Sequence, residues 1–149
     1  MIWIPHSVPS SKNSKIHSKN GVFNSPAVSK YLRKLGIQSF SSSKQTVKEY
    51  KTRPNEFRDA VGTYFDDNFD FTKGEPCEIG FYFVRESMRL FDVHNIVQLP
   101  CDLLSAHSFI PDDNVKYMIP VFMKIDNLYW HKDKDNPGMY IKILNPNKK

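Results

Sequence analysis

Residues 78–84, EIGFYFV, begin the part of the chain that decides the fold. They alternate in polarity and are rich in aromatic side chains, which predicts a strand. A helix is predicted over residues 95–107, NIVQLPCDLLSAH, and a second strand over residues 115–125, VKYMIPVFMKI. Pro100 fits the helix only near its start, and Pro120 indicates an edge strand or a bulge. Together these segments predict a strand–helix–strand unit.

The amino-terminal third predicts a short strand from Trp3 to Val8, a small hairpin around Asn20-Gly21, and the clearest helix of the chain. Ser25 can cap that helix, and Gly36 ends it. Its apolar stripe consists of Val28, Tyr31, Leu32 and Leu35. Its basic residues, Lys30, Arg33 and Lys34, lie mainly on the other side.

The remaining segments complete one domain. The Ser-rich residues 37–48 indicate a mobile loop, and residues 55–68 a second helix that Gly62 weakens. A last strand is predicted over residues 139–144, and the tail 145–149 is expected to fray. We expect an α+β fold: residues 1–149 form a single compact domain, with a small mixed or antiparallel sheet packed against about three helices.

Charge is distributed unevenly along the chain. The net charge is +5, yet residues 1–48 contain eight Lys and Arg and no Asp or Glu, whereas all 16 carboxylates lie in residues 49–149. A basic segment joined to an acid-rich remainder suits a polyanion held near a metal site. A solvated basic surface is the alternative interpretation.

Composition also bounds the cellular setting. No apolar run approaches the roughly 20 residues that span a bilayer, and the amino terminus lacks the features of a secretory signal, so we expect a cytoplasmic protein without membrane contact. Cys77 and Cys101 show neither zinc spacing nor a disulfide framework.

Acidic and amide side chains flank and follow the third predicted helix. Asn95, Gln98 and Asp102 share one helical face, while the other carboxylates stand at its two ends, Asp92 before it and Asp112-Asp113 after it. A strand–helix–strand unit is expected to bring Asp92, Asp102 and Asp113 together. Gathered carboxylates favour a hard divalent cation such as Mg²⁺, which supports phosphodiester hydrolysis. Alternatively, Asp92 caps the helix and Asp112-Asp113-Asn114 is an ordinary turn.

At these residues the chain resembles the RusA family of Holliday junction resolvases. Members show a basic stretch, Asp-x-Asp-Asn, a helix and an Asp-Asp pair; here Arg89, Asp92, Asn95 and Asp112-Asp113 occupy matching places. Residues 8–13, VPSSKN, resemble the family's first strand and turn. The resemblance implies a homodimer that nicks four-way DNA junctions with Mg²⁺. Asp92 and Asp113 would be metal ligands, and Asp112 a ligand or a supporting group. Asn95 and Gln98 would be further residues of the catalytic site.

Two positions depart from the family pattern. His94 replaces the second Asp, and Gln98 replaces a frequent Lys. Either His94 takes the place of the missing ligand, which favours Mn²⁺, or Asp102 completes the site. The leading hypothesis is a metal-dependent, structure-selective DNA endonuclease from a bacterial or phage-infected cell. The alternative is a catalytically degenerate module that binds DNA or a protein.

Candidate DNA contacts come from the basic residues near the proposed site and from the basic helix. They are Lys12, Asn13, Lys15, Lys30, Arg33, Lys34, Arg85 and Arg89.

Overall fold

The computed structural model describes residues 1–10, 15–18 and 21–148, with the backbone alone for residues 15–18 and 21–24. Its strands are β1 (Ile2–Pro5), β2 (Lys15–Ser18), β3 (Gly21–Asn24), β4 (Ile37–Ser41), β5 (Thr46–Glu49), β6 (Cys77–Arg85), β7 (Met118–Phe122), β8 (Trp130–Lys132) and β9 (Gly138–Ile143). Its α-helices are α1 (Pro26–Leu35), α2 (Glu56–Val61), α3 (Tyr64–Asn68) and α4 (Val93–Ala106), and Phe71–Lys73 form one 3₁₀ turn.

The central sheet has the order β1-β9-β6-β7, and β8 extends the β7 side by pairing with the end of β6. Strand β6 runs parallel to β7 and β8 and antiparallel to β9, which is antiparallel to β1. Two hairpins, β2–β3 and β4–β5, stand outside this sheet. The predicted α+β class, with one compact domain and a mixed sheet, is confirmed.

Strand β6 lies in the middle of the domain. The side chains at its alternate positions pack against apolar residues. Ile79, Phe81 and Phe83 are fully buried and join the apolar residues of the helices in one core. Strand β7 is shorter than predicted because residues 114–117 form a turn in which the amides of Tyr117 and Met118 donate to the Asn114 carbonyl. Pro120 lies on this outer strand, as predicted, where a missing amide proton costs least.

Helix α1 follows the prediction at both ends. The Ser25 hydroxyl accepts a hydrogen bond from the Val28 amide, and Gly36 ends the helix in a left-handed conformation with φ +84°. The four residues of the predicted apolar stripe are buried, so the basic residues face outwards. Within the described residues, no helix combines the length and apolar character needed to cross a bilayer.

The second predicted helix is divided into two helices, α2 and α3. The third predicted helix, α4, contains Pro100 within its length. Gly62, at φ +52°, ends α2, its amide donating to the Arg58 carbonyl, and α3 starts two residues later. Pro100 is the eighth of the 14 residues of α4, so the expectation that it lies near the helix start is wrong. Packing against the sheet outweighs the lost hydrogen bond, since Pro100 and its neighbours are buried.

Two predictions of irregular structure are wrong. Residues 37–48 form the hairpin β4–β5 rather than a loop, because Phe40 and Val47 pair across the strands and pack on the core. The tail is held in place as far as Lys148: Asn145 bonds the Glu78 amide and the Pro76 carbonyl, and Asn147 bonds Asp70. Each asparagine therefore satisfies backbone groups of a neighbouring segment.

A half-buried histidine, His107, links α4 to the start of α2. His107 Nδ1 lies 2.7 Å from the Leu103 carbonyl, so it carries the proton and donates. Nε2 therefore accepts from the Asn55 amide, 2.9 Å away. Burial lowers the pKa of His107, as does Arg58, against the raising effects of the Leu103 carbonyl and Glu49. The fold thus favours the neutral ring over the protonated ring.

We expect the free energy of unfolding to fall as the pH is lowered from about 7.5 to about 5.5. The unfolded chain takes up a proton at the ordinary histidine pKa, while folded His107, with its lowered pKa, resists protonation. Urea denaturation of the wild type and His107→Gln at several pH values measures the effect. The wild type should lose more stability than the variant over this range, and equal losses would rule out His107 as the cause.

Candidate functional site

A groove of about 510 Å³ opens between α1, the segment 7–10 that follows β1, and the loop that joins β6 to α4. Among the described side chains, four cations line it, and we call it the cationic groove: Lys30, Lys34, Arg85 and Arg89. It also contains the carboxylates of Glu86 and Asp92. Within the part of the chain that the structure describes, none of the four cations forms an ion pair with a carboxylate.

Helix α1 supplies one wall of the groove. Lys30 and Lys34 are one turn apart, on the same side as Ala27 and Tyr31, and all four line the groove. Both lysines are exposed, and no acidic residue occupies the helix. Arg33 is exposed on α1 but does not line the groove, so it is the one cation of the predicted trio that lies apart.

Arg85 ends β6 and supplies the opposite wall. Its guanidinium donates from Nη1 to the Val8 carbonyl and lies 5.1 Å from the centre of the Phe91 ring. Burial lowers the pKa of Arg85, and the nearby charge of Arg89 lowers it further, while Glu86 raises it. Its Nε is buried and has no hydrogen-bond partner among the described residues. The cation is therefore held in place and lacks a full set of acceptors.

Asp92 lies at the groove and also begins α4. Its Oδ1 accepts hydrogen bonds from the amides of His94 at 2.8 Å and Asn95 at 3.2 Å. This is the geometry of a helix cap, which satisfies amides that the helix itself leaves free. The capping interpretation of Asp92 is confirmed.

The expectation that Asp92, Asp102 and Asp113 meet is wrong within one chain. Strands β6 and β7 are parallel, so α4 must run back between them, and its start and end lie at opposite edges of the sheet. Fourteen helical residues span about 21 Å. Asp92 accordingly lines the cationic groove, whereas Asp113 lines a different depression at the other edge.

Asp112 and Asp113 belong to a turn. Asp112 Oδ1 accepts from the Asp113 amide at 2.8 Å, and Oδ2 accepts from the Asn114 side chain at 3.0 Å. These bonds lower the pKa of Asp112. Both carboxylates border a depression that Ser42, Ser43 and Gln45 close from the β4–β5 hairpin. The turn interpretation is confirmed for Asp112.

The other predicted ligands and catalytic residues are spread along α4. His94 and Gln98 are exposed, Asn95 and Asp102 are half-buried, and none of them lines the cationic groove. Among the side chains that the structure describes, no three of His, Cys, Asp or Glu are grouped so that they could hold a metal ion. Three of the predicted Mg²⁺ or Mn²⁺ ligands are therefore not grouped within the described part of one chain.

The predicted DNA contacts divide in the same way. Lys12 and Asn13 lie outside the described residues, and Lys15 lies in β2, of which only the backbone is described.

Sequence reasoning missed Tyr31 as a groove residue because its spacing assigns it to the core. The sequence carries no signal that its ring also borders a groove.

Comparison with protein-family models, characterised proteins and solved structures gives no match to this chain. The RusA resemblance therefore stays a hypothesis based on the order and spacing of a few residues. Any functional conclusion has to be argued from the groove itself.

Proposed function

We propose that this protein binds DNA by placing the phosphate backbone in the cationic groove. The observation that carries the proposal is the convergence of two lysines and two arginines, none paired with a carboxylate among the described residues, in one concave surface. Gathered like charges repel, and a polyanion that replaces their counterions is bound with a favourable free energy.

The distribution of the cations suits a backbone rather than a single small anion. Lys30 and Lys34 lie one helical turn apart on one wall, and Arg85 and Arg89 come from the other. Cations that project from two walls can contact successive phosphates, which positions a strand without reading its bases. The resemblance to junction resolvases adds the finer proposal that branched DNA is the preferred form.

Fluorescence anisotropy tests the proposal with a labelled four-way junction, a duplex and a single strand. We expect binding whose affinity falls steeply with salt, with a slope of log K against log salt of about −0.9 for each phosphate neutralised on duplex DNA. Tightest binding to the junction would support the finer proposal. No binding, or binding indifferent to salt, would contradict the DNA-binding proposal.

A second candidate is the metal-dependent cleavage of DNA junctions that the resemblance implies. The observation that favours it is that Asp92 and Glu86 lie in the same groove as the four cations. Two carboxylates would then face the bound backbone. Asp113 lines a different depression and is not available in this groove. Cleavage would therefore have to use fewer of the predicted ligands than the family pattern provides.

The variants of Asp92 separate its capping role from cleavage. Asparagine caps helices as well as aspartate does, so Asp92→Asn should keep the stability of the wild type, whereas Asp92→Ala should lose about 1 kcal/mol of unfolding free energy. If cleavage in Mg²⁺ or Mn²⁺ exists, Asp92→Asn should abolish it. Absence of cleavage in both metals by folded wild-type protein would eliminate the second candidate and leave DNA binding.

Two further properties are proposed from the resemblance. A homodimer is supported by the sheet face opposite the helices, where Trp3 and Tyr140 are half-exposed with ring centres 4.6 Å apart. Sedimentation equilibrium tests the proposed homodimer, and a monomer at all concentrations would contradict it.

We assign the protein to the bacterial or host cytoplasm, and the two free buried cysteines suit a reducing compartment.

A further inference from the structure

Tyr31 combines burial with an unused polar group. Its side chain is 3% exposed and lines the cationic groove. Its hydroxyl is buried and has no hydrogen-bond partner among the residues that the structure describes. A buried hydroxyl without a partner destabilises a folded protein, and phenylalanine would fill the same space without that cost. Packing among the described residues therefore does not explain why position 31 carries a tyrosine rather than a phenylalanine in the free protein.

A second unused donor borders the same groove. Arg85 Nε is buried and unpartnered within the described residues, although Nη1 bonds the Val8 carbonyl and Phe91 supports the guanidinium. Burial lowers the pKa of Arg85, and Glu86 offsets only part of that effect. Tyr31 and Arg85, which carry these two donors without acceptors among the described residues, thus both line the cationic groove.

We infer that the floor of the cationic groove is a seat for one phosphate group, whose oxygens accept hydrogen bonds from the Tyr31 hydroxyl and Arg85 Nε. The inference rests on the proposed function and deepens it by naming the two groups that position the backbone. Phosphate oxygens satisfy donors of both kinds, and charge-assisted bonds of this type are short and strong. Lys30 and Lys34 would then contact the adjacent phosphates.

The phosphate has two sources in DNA, an internal diester or a terminal monoester. Oligonucleotides of one sequence with a 5′-phosphate or a 5′-hydroxyl distinguish them. Equal affinities assign the seat to an internal phosphate, and tighter binding of the 5′-phosphate assigns it to a strand end. In either case the affinity should depend on Tyr31.

Tyr31→Phe tests the seat through two opposite changes. The variant should bind the junction about tenfold more weakly, since one hydrogen bond to an anion is lost. Its midpoint of thermal unfolding should rise by about 2–5 °C, because the unpaired hydroxyl is gone. Arg85→Lys, which keeps the charge and removes Nε, should also weaken binding by about tenfold.

Tyr64→Phe is the matched control. The Tyr64 hydroxyl accepts from the Ile143 amide at 2.9 Å, outside the groove, so its removal should lower the midpoint temperature and leave binding unchanged. The phosphate seat is ruled out if Tyr31→Phe binds the junction as tightly as the wild type, or if its midpoint temperature is lower than that of the wild type. The proposed function fails separately, if replacing Lys30 and Lys34 leaves affinity at the wild-type level.

Discussion

Replacing Lys30 and Lys34 together with alanine should weaken DNA binding by about 10- to 100-fold at low salt. Both side chains are exposed on one wall of the cationic groove and have no carboxylate partner in the described residues, so their loss removes phosphate contacts without disturbing the fold. The slope of log K against log salt should become shallower by about two. Anisotropy titrations at several salt concentrations measure both quantities.

A control with the same change in net charge separates local contact from overall attraction. Lys48 and Lys142 are exposed on β5 and β9, and neither lines the groove. Their double replacement with alanine should reduce affinity far less. If both double variants lose the same affinity, the groove is not the binding surface and only the net charge matters.

Gly36→Ala should lower the free energy of unfolding by more than about 3 kcal/mol. Gly36 ends α1 at φ +84°, where a β-carbon is strained, and that carbon would lie 2.0 Å from the Pro54 carbonyl oxygen. The helix end and the segment before α2 would have to separate to make room. Urea denaturation measures the loss.

Gly74→Ala isolates the backbone part of that effect. Gly74 has nearly the same φ, +83°, but a β-carbon there would meet nothing within 4 Å. It should cost about 1 kcal/mol, the price of the left-handed conformation alone. Equal losses in the two variants would show that the close approach to Pro54 contributes nothing.

The parts of the fold that the sequence predicts are those with a complete local signal. Ser25 and Gly36 bound α1 by caps at both ends, and the alternation of residues 78–84 identifies β6. The hairpin over residues 37–48 escaped prediction because its serines outnumber the three residues, Ile37, Phe40 and Val47, that pack on the core. Packing against the core, which no local pattern reports, decided that segment.

The candidate site, like the fold, was predictable only in part. Charge asymmetry identified Lys30 and Lys34, and nearness to the proposed acidic site identified Arg85 and Arg89; these four of the eight candidate DNA contacts line one groove. The grouping of the carboxylates failed because sequence spacing does not show that α4 carries Asp92 and Asp113 to opposite edges of the sheet. Tyr31 was unpredictable as a groove residue, since its position in the apolar stripe of α1 explains its burial completely.

Lysine acetylation with and without DNA, followed by mass spectrometry, tests most directly whether the cationic groove binds DNA. We expect a bound four-way junction to slow acetylation of Lys30 and Lys34 and to leave exposed Lys48 and Lys142 unaffected. If Lys30 and Lys34 stay as reactive under saturating DNA as in the free protein, the cationic groove is not the DNA-binding surface.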